Sequence, residues 1–231
     1  MTAGHDALAA LRRSRPSFHG IDIGRPGNLQ IGEDVLGWLV ENIPGGGTTL
    51  ETGSGYTTVV FASIARRHIA VAPAATEFAA IRAFCQEEGI SLTSLDERVA
   101  RSQDVLPTGD WADLDGVLID GDHSFPLPFL DYYFLADRVR EGGLLLVDDC
   151  QLRTGHVLRQ FLVEEPGWEH VRDLGKTAAF RRTSGPAPTS RWWVDQPWLA
   201  PVYAVPGDTL RTQLAAARTQ LRLRSRLTQW R

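Results

Sequence analysis

The chain of 231 residues is poor in two residue types: it has one lysine, Lys176, among 24 positive charges, and two cysteines, Cys85 and Cys150. Two cysteines build neither a disulfide framework nor a multi-cysteine metal site, which fits a reducing compartment. Long apolar runs are also missing, and none approaches the ~20 residues of a membrane-spanning helix. No apolar segment follows the arginines of LRRSR, Leu11 to Arg15, so a signal peptide is not expected and a cytoplasmic location is. With 43% hydrophobic and 23% charged residues, disorder throughout is excluded, and one full-sized domain with appendages is the simplest organisation.

The net charge of -4 is unevenly spread. Residues 1–180 carry 15 basic and 26 acidic side chains, whereas residues 181–231 carry nine arginines against Asp195 and Asp208. An acidic body therefore precedes a basic tail, and four of the seven tryptophans, Trp192, Trp193, Trp198 and Trp230, lie in that tail.

Residues 1–30 read as a lead-in segment without clear periodicity. From Gly32 to Ile43, apolar Val35, Leu36, Leu39, Val40 and Ile43 recur at helical spacing, and PGGG ends the helix. Short apolar runs then alternate with amphipathic stretches, which predicts a parallel sheet with helices on both faces. Strands are expected at 48–51, 68–72, 92–100, 116–119 and 144–147, with helices over 57–66, 76–88, 127–140 and 155–164. EHVRDL and KTAAFRR flank Gly175 closely enough that they must pair antiparallel. The expected domain spans 31–183, followed by a Pro/Trp-rich linker over 184–207 and a basic helix over 208–231. In that helix Asp208 is the cap and Leu210, Leu214, Ala217 and Leu221 form one face.

In an open α/β sheet, ligands bind beyond the carboxyl ends of the strands. ETGSG, Glu51 to Gly55, lies at the end of the first strand, where Gly53 and Gly55 permit a sharp turn and a close ligand, and Glu51 offers an acceptor. Any tight strand-to-helix turn also favours glycine, and the dinucleotide fingerprint GxGxxG is incomplete because Thr58 takes the place of its third glycine. The fourth and fifth strands end in LIDGDHSF and LLLVDDC, placing Asp120, Asp122, His123, Asp148 and Asp149 on the same edge. Close carboxylates repel unless a cation offsets them, so Asp120, Asp148 and Asp149 suit a hard ion such as Mg²⁺. His123 is a candidate general base, and Asp122 orients it or contacts a cofactor. The plainer alternatives are that Asp148 or Asp149 caps the next turn and that His123 is a structural donor.

ETGSG, DGVLIDGDHSF and VREGGLLLVDDC together resemble class I S-adenosylmethionine-dependent methyltransferases, most nearly the macrocin-type sugar O-methyltransferases and more loosely the catechol type. The similarity covers about residues 30–182. It implies a Rossmann-like, mostly parallel seven-stranded sheet with a terminal antiparallel hairpin. It further implies that Glu51, Gly53, Ser54 and Gly55 cradle the methionine part of S-adenosylmethionine, that Ser102 lies at the adenine, that Asp120 and Asp122 contribute to the cofactor site, and that Asp120, Asp148 and Asp149 bind metal. The family's acidic residue for the ribose hydroxyls, at the end of the second strand, is replaced by Ala72 and Pro73 in VAPAATE. Either Glu77 or another group takes over, cofactor affinity is weakened, or the pocket serves another ligand.

The expected reaction is Mg²⁺-assisted methyl transfer to a hydroxyl of a small molecule, sugar-containing natural products among them, with His123 as base. The rival reading is a degenerate methyltransferase fold serving as a binding or scaffold subunit. Residues 209–231, with six arginines and no acid, fit a homo-oligomerisation helix better than a lid or a surface-binding helix, and no nucleic-acid recognition module accompanies them. Phe125, Phe129, Tyr132, Tyr133 and Phe134 could line a cleft, although aromatics at such spacing are more often core.

Overall fold

The computed structural model describes residues 2–19, 31–185, 189 and 197–199. The expected linker lies largely outside these residues, and the basic C-terminal helix wholly so. Contacts divide the chain into two units, Met1–Ser190 and Arg191–Arg231. Every strand and α-helix described below belongs to the first unit; of the second, a short 3₁₀ turn at Pro197–Leu199 is described.

In chain order the elements are α1 (Ala3–Ser14), α2 (Glu33–Asn42), β1 (Thr48–Thr52), α3 (Tyr56–Ile64), β2 (Arg67–Ala72), α4 (Ala75–Glu88), β3 (Leu95–Val99), α5 (Ser102–Val105), β4 (Leu114–Ile119), α6 (Leu127–Leu135), β5 (Val139–Val147), α7 (Arg153–Glu164), β6 (Trp168–Leu174) and β7 (Thr177–Arg182). One seven-stranded sheet runs β3-β2-β1-β4-β5-β7-β6. The first five strands in that order are parallel, and β7 is antiparallel to both β5 and β6. Strand order reverses between β1 and β4, which puts the ligand-binding crevice beyond Thr52 and Ile119.

Alternation along the strands builds two cores, because successive side chains leave a strand on opposite faces. Leu118, Leu144, Leu146 and Ala179 pack with α1, α2 and α3. Val117, Ile119, Leu145, Val147 and Phe180 pack with α6 and α7 on the other side. The central strands are covered on both faces, so they read in sequence as apolar runs.

The helix α1 departs from the reading of residues 1–30 as an irregular lead-in. It buries Ala7, Leu8, Ala10 and Leu11 and ends with Arg15 in the left-handed region (φ 44°). Its close seat is set by Gly4, where a Cβ would lie 2.5 Å from Ile64 Cγ2. Half of that apolar face is alanine, which weakens its periodic signal. Leu11 is 1% exposed, so Leu11→Ala is expected to cost about 2–5 kcal/mol in denaturant unfolding.

The short α5 was not expected either, and the other differences are of boundary. The helix expected over 127–140 ends at Leu135, because Val139 is already buried in β5 opposite Leu114; the pairing then shifts so that Gly116 meets Leu144, with Gly142 at φ +76° in the irregularity. β3 is shorter than expected and forms the sheet edge.

Candidate functional site

A cleft of about 610 Å³ opens over the carboxyl ends of β1, β2 and β4. Its floor is the β1–α3 turn. Gly53 has φ +99°, and a Cβ there would stand 2.3 Å from the Asp120 carbonyl oxygen, so this turn admits only glycine. The main chain is tied by Gly53 N–H to Val71 O (2.9 Å) and Asp120 N–H to Thr52 O (3.1 Å). Gly55 N–H donates to Thr58 Oγ1 (2.9 Å), whose own hydroxyl donates to Glu51. Thr58, standing where a dinucleotide fingerprint has glycine, thus locks the turn through one hydroxyl that both accepts and donates.

Glu51 itself is fully buried and does not line the cleft. It accepts from Thr57 Oγ1 (2.5 Å) and Thr58, with His68 Nε2 at 3.1 Å; His68 stacks on Phe61 and lies 2.9 Å from Thr49 Oγ1. Its carboxylate is satisfied from within, as a buried charge must be. Gly53, Ser54, Gly55, Ser102, Asp120, Asp122 and His123, the other expected cofactor and catalytic residues, all line the cleft.

Ala72 and Pro73 also line it, beside an acid that comes from the next helix. Glu77, in the first turn of α4, takes the Ser54 hydroxyl at 2.6 Å and His19 Nδ1 at 3.0 Å. His19 approaches the glycine turn, its Nε2 3.6 Å from where a Gly55 Cβ would be. The part played by His19 was not legible in sequence, since it lies just past α1 and far from the sheet motifs.

The residue Asp131 was also missed, hidden among the aromatics of α6. It is 1% exposed and sits behind Gly121, with Oδ2 3.5 Å from the position of a Cβ there. Burial raises its carboxyl above the ordinary range, against the opposing influence of the Ser102 and Thr52 hydroxyls. Asp120 is pushed up further, first by burial and then by the neighbouring Asp148 charge. A cationic ligand in the cleft would relieve Asp120, which lines it.

At the other end of the site the expected ligand trio divides. Asp148 is buried, accepts from the Thr177 hydroxyl, and forms an ion pair with Lys176 Nζ at 2.8 Å. Asp149, in the left-handed region (φ 51°), binds Lys176 Nζ (2.7 Å) and Gln151 Nε2 (2.7 Å) through Oδ1, and His123 Nε2 (2.8 Å) through Oδ2. Burial alone would raise Asp149, but the hydrogen bonds from His123, Lys176 and Gln151 prevail and hold it well below the usual carboxylate range. Lys176, which burial would depress, is instead raised to about 12 by its two carboxylates.

Among the described residues, Asp120, His123 and Asp149 can each bring a ligand atom within 4.8 Å of the others. Asp148 is not one of them. Lys176 Nζ stands beside Asp148 Oδ2 and Asp149 Oδ1, so an ammonium of the chain already faces both acids. Of the expected Mg²⁺ trio, Asp120 and Asp149 thus meet beside His123, while Asp148 is set against Lys176 and Thr177.

The low position of Asp149 gives a linkage prediction. A carboxyl depressed in the folded state contributes stability above its unfolded value, near 4, and loses it as pH falls. The stability advantage of wild type over Asp149→Asn is thus expected to be constant above about pH 5 and to shrink steadily below about pH 4 in urea titrations.

Comparison with known proteins fits this architecture. Residues 50–150 match a family described as a methyltransferase domain. No curated protein sequence matches the chain. Among solved structures, the O-methyltransferase TomG from Streptomyces achromogenes, involved in tomaymycin synthesis and solved with S-adenosylmethionine, is 17% identical (TM-score 0.56; 79% of this chain and 90% of that one covered). Cofactor-bound Rv0187 from MTB is 19% identical (TM-score 0.52; 79% and 90% covered). An rRNA methylase from Streptococcus thermophilus is 10% identical (TM-score 0.52; 67% and 99% covered). At such identities the likeness concerns the fold. Residues 50–150 are thus similar to a methyltransferase domain, and the seven-stranded sheet has the fold of these solved structures.

Proposed function

We propose that the chain is an S-adenosylmethionine-dependent O-methyltransferase that acts on a hydroxyl of a small-molecule acceptor, sugar-containing natural products being the favoured class. The observation that carries this reading is the meeting of a bare glycine turn, the carboxylates of Glu77 and Asp120, and the His123–Asp149 pair around one cleft. Its volume is that of a cofactor pocket, and its acidic walls favour a ligand that bears sulfonium and ammonium charges. When bound, the cofactor supplies an electrophilic methyl group.

The chain's own residues do the rest. Gly53 and Gly55 leave main chain open to the methionine part, Glu77 offers carboxylate oxygens for the ribose hydroxyls, and Ser102 lies on the adenine side. Catalysis of this kind rests on alignment of two reactants and activation of the nucleophile. His123 receives the acceptor's proton. The Asp149 carboxylate at Nε2 keeps the proton there in the neutral ring, which makes Nδ1 the nitrogen that takes the second one. Phe125, 78% exposed and two residues from His123, gives the acceptor an apolar contact.

The lack of an acid at Ala72 and Pro73 favours a scaffold, whereas Glu77 in the cleft favours an enzyme. Calorimetry with S-adenosylhomocysteine tests the proposal. Micromolar binding is expected, and no heat at millimolar ligand would return the scaffold reading to first place.

A further inference from the structure

We infer that the ammonium group of Lys176 is the resident counter-charge of the Asp148–Asp149 pair, standing where a divalent cation was expected, and that it positions His123 by way of Asp149. Only the role of His123 rests on the proposed methyl transfer; the charge pairing stands without it.

Three observations converge. Lys176 Nζ lies 2.8 Å from Asp148 Oδ2 and 2.7 Å from Asp149 Oδ1, so one ammonium bridges both acids. The remaining oxygen of each acid also has its donor, Thr177 Oγ1 on Asp148 and His123 Nε2 on Asp149. Finally, Lys176 is the chain's only lysine, in a sequence that otherwise uses arginine for every basic side chain apart from histidine. A compact ammonium with three donors can sit between two carboxylates like a small cation.

The fold explains how it gets there. Lys176 is in the β6–β7 turn, and β7 runs antiparallel to β5, so the start of β7 is delivered beside the end of β5. Cys150 N–H bonds to the Lys176 carbonyl at 2.8 Å, which fixes the two turns to each other. A divalent ion at Asp148 and Asp149 would compete with this ammonium for the same two carboxylates. With Lys176 in place, Asp149 keeps one oxygen directed to His123, and the imidazole is held by a carboxylate that is itself held from behind.

The test is titration of the full chain with Mn²⁺, free ion being read by electron paramagnetic resonance, for wild type, Lys176→Met and Lys176→Arg. Wild type and Lys176→Arg are expected to leave micromolar Mn²⁺ free, while Lys176→Met gains one site at least tenfold tighter, abolished again by adding Asp149→Asn. One tight Mn²⁺ in wild type would overturn the inference. So would a folded Lys176→Met that binds none. If that variant does not fold, wild type and Lys176→Arg decide alone: Mn²⁺ binding by the wild type refutes the inference, and its absence from both sustains it. For the positioning role, the acid limb of the turnover–pH profile is expected to move in Lys176→Met and to return in Lys176→Arg; an unmoved limb in Lys176→Met refutes it. Calorimetry with S-adenosylhomocysteine on the same wild-type sample reports separately on the methyltransferase reading.

Discussion

Glu77→Ala is expected to weaken S-adenosylhomocysteine binding by about 10- to 100-fold, the equivalent of ~1.5–3 kcal/mol for hydrogen bonds to a charged group. The expectation follows from where the acid is anchored. A carboxylate at the end of β2 would reach the cleft directly, but Ala72 and Pro73 leave that position without one. Glu77 reaches the same wall from α4, with one oxygen on Ser54 and the other on His19, at 18% side-chain exposure. These two partners hold the side chain in a fixed pose while leaving lone pairs for a ligand, since each carboxylate oxygen accepts twice. Calorimetry on wild type, Glu77→Ala and Glu77→Gln separates charge from shape. Unchanged affinity in Glu77→Ala would remove Glu77 from the cofactor site and leave the ribose to another group.

The second large effect concerns turnover. His123→Ala is expected to lower kcat by about 10²- to 10⁴-fold, the usual contribution of a positioned acid–base group, with cofactor affinity within about twofold of wild type. The imidazole lies at the mouth of the cleft, where its main-chain carbonyl accepts the Thr154 hydroxyl at 2.7 Å and its ring is bound by Asp149. Its loop is therefore braced by α7 independently of the ring, so truncation removes the base without collapsing the loop. Rates measured at saturating cofactor check this. A variant that turns over as fast as wild type would show that the acceptor's proton leaves by another route.

The parallel sheet, the terminal hairpin and the edge on which the acids gather were legible in sequence, because a two-sided apolar strand and a tight glycine turn are local patterns. LLLVDDC carries its own burial and its own exit. What was not legible depends on separations the chain does not print. The bridging of Asp148 and Asp149 by Lys176 joins residues 28 and 27 positions apart through strand pairing, so the motif alone did not show the ammonium that stands beside both acids. Glu51 shows the reverse error. Placed at a strand end beside glycines, it reads as a ligand residue, yet the partners that turn it inward, Thr57, Thr58 and His68, become neighbours only once α3 and β2 have folded over it.

One contact fixes what this architecture can vary. The position of a Gly53 Cβ is taken by the carbonyl oxygen of Asp120, main chain against main chain. No side-chain replacement elsewhere can relax an approach in which no side chain takes part, so the distance between the two strand ends is closed to gradual tuning. Side-chain variation in the cleft therefore has to be accommodated around this fixed main-chain contact.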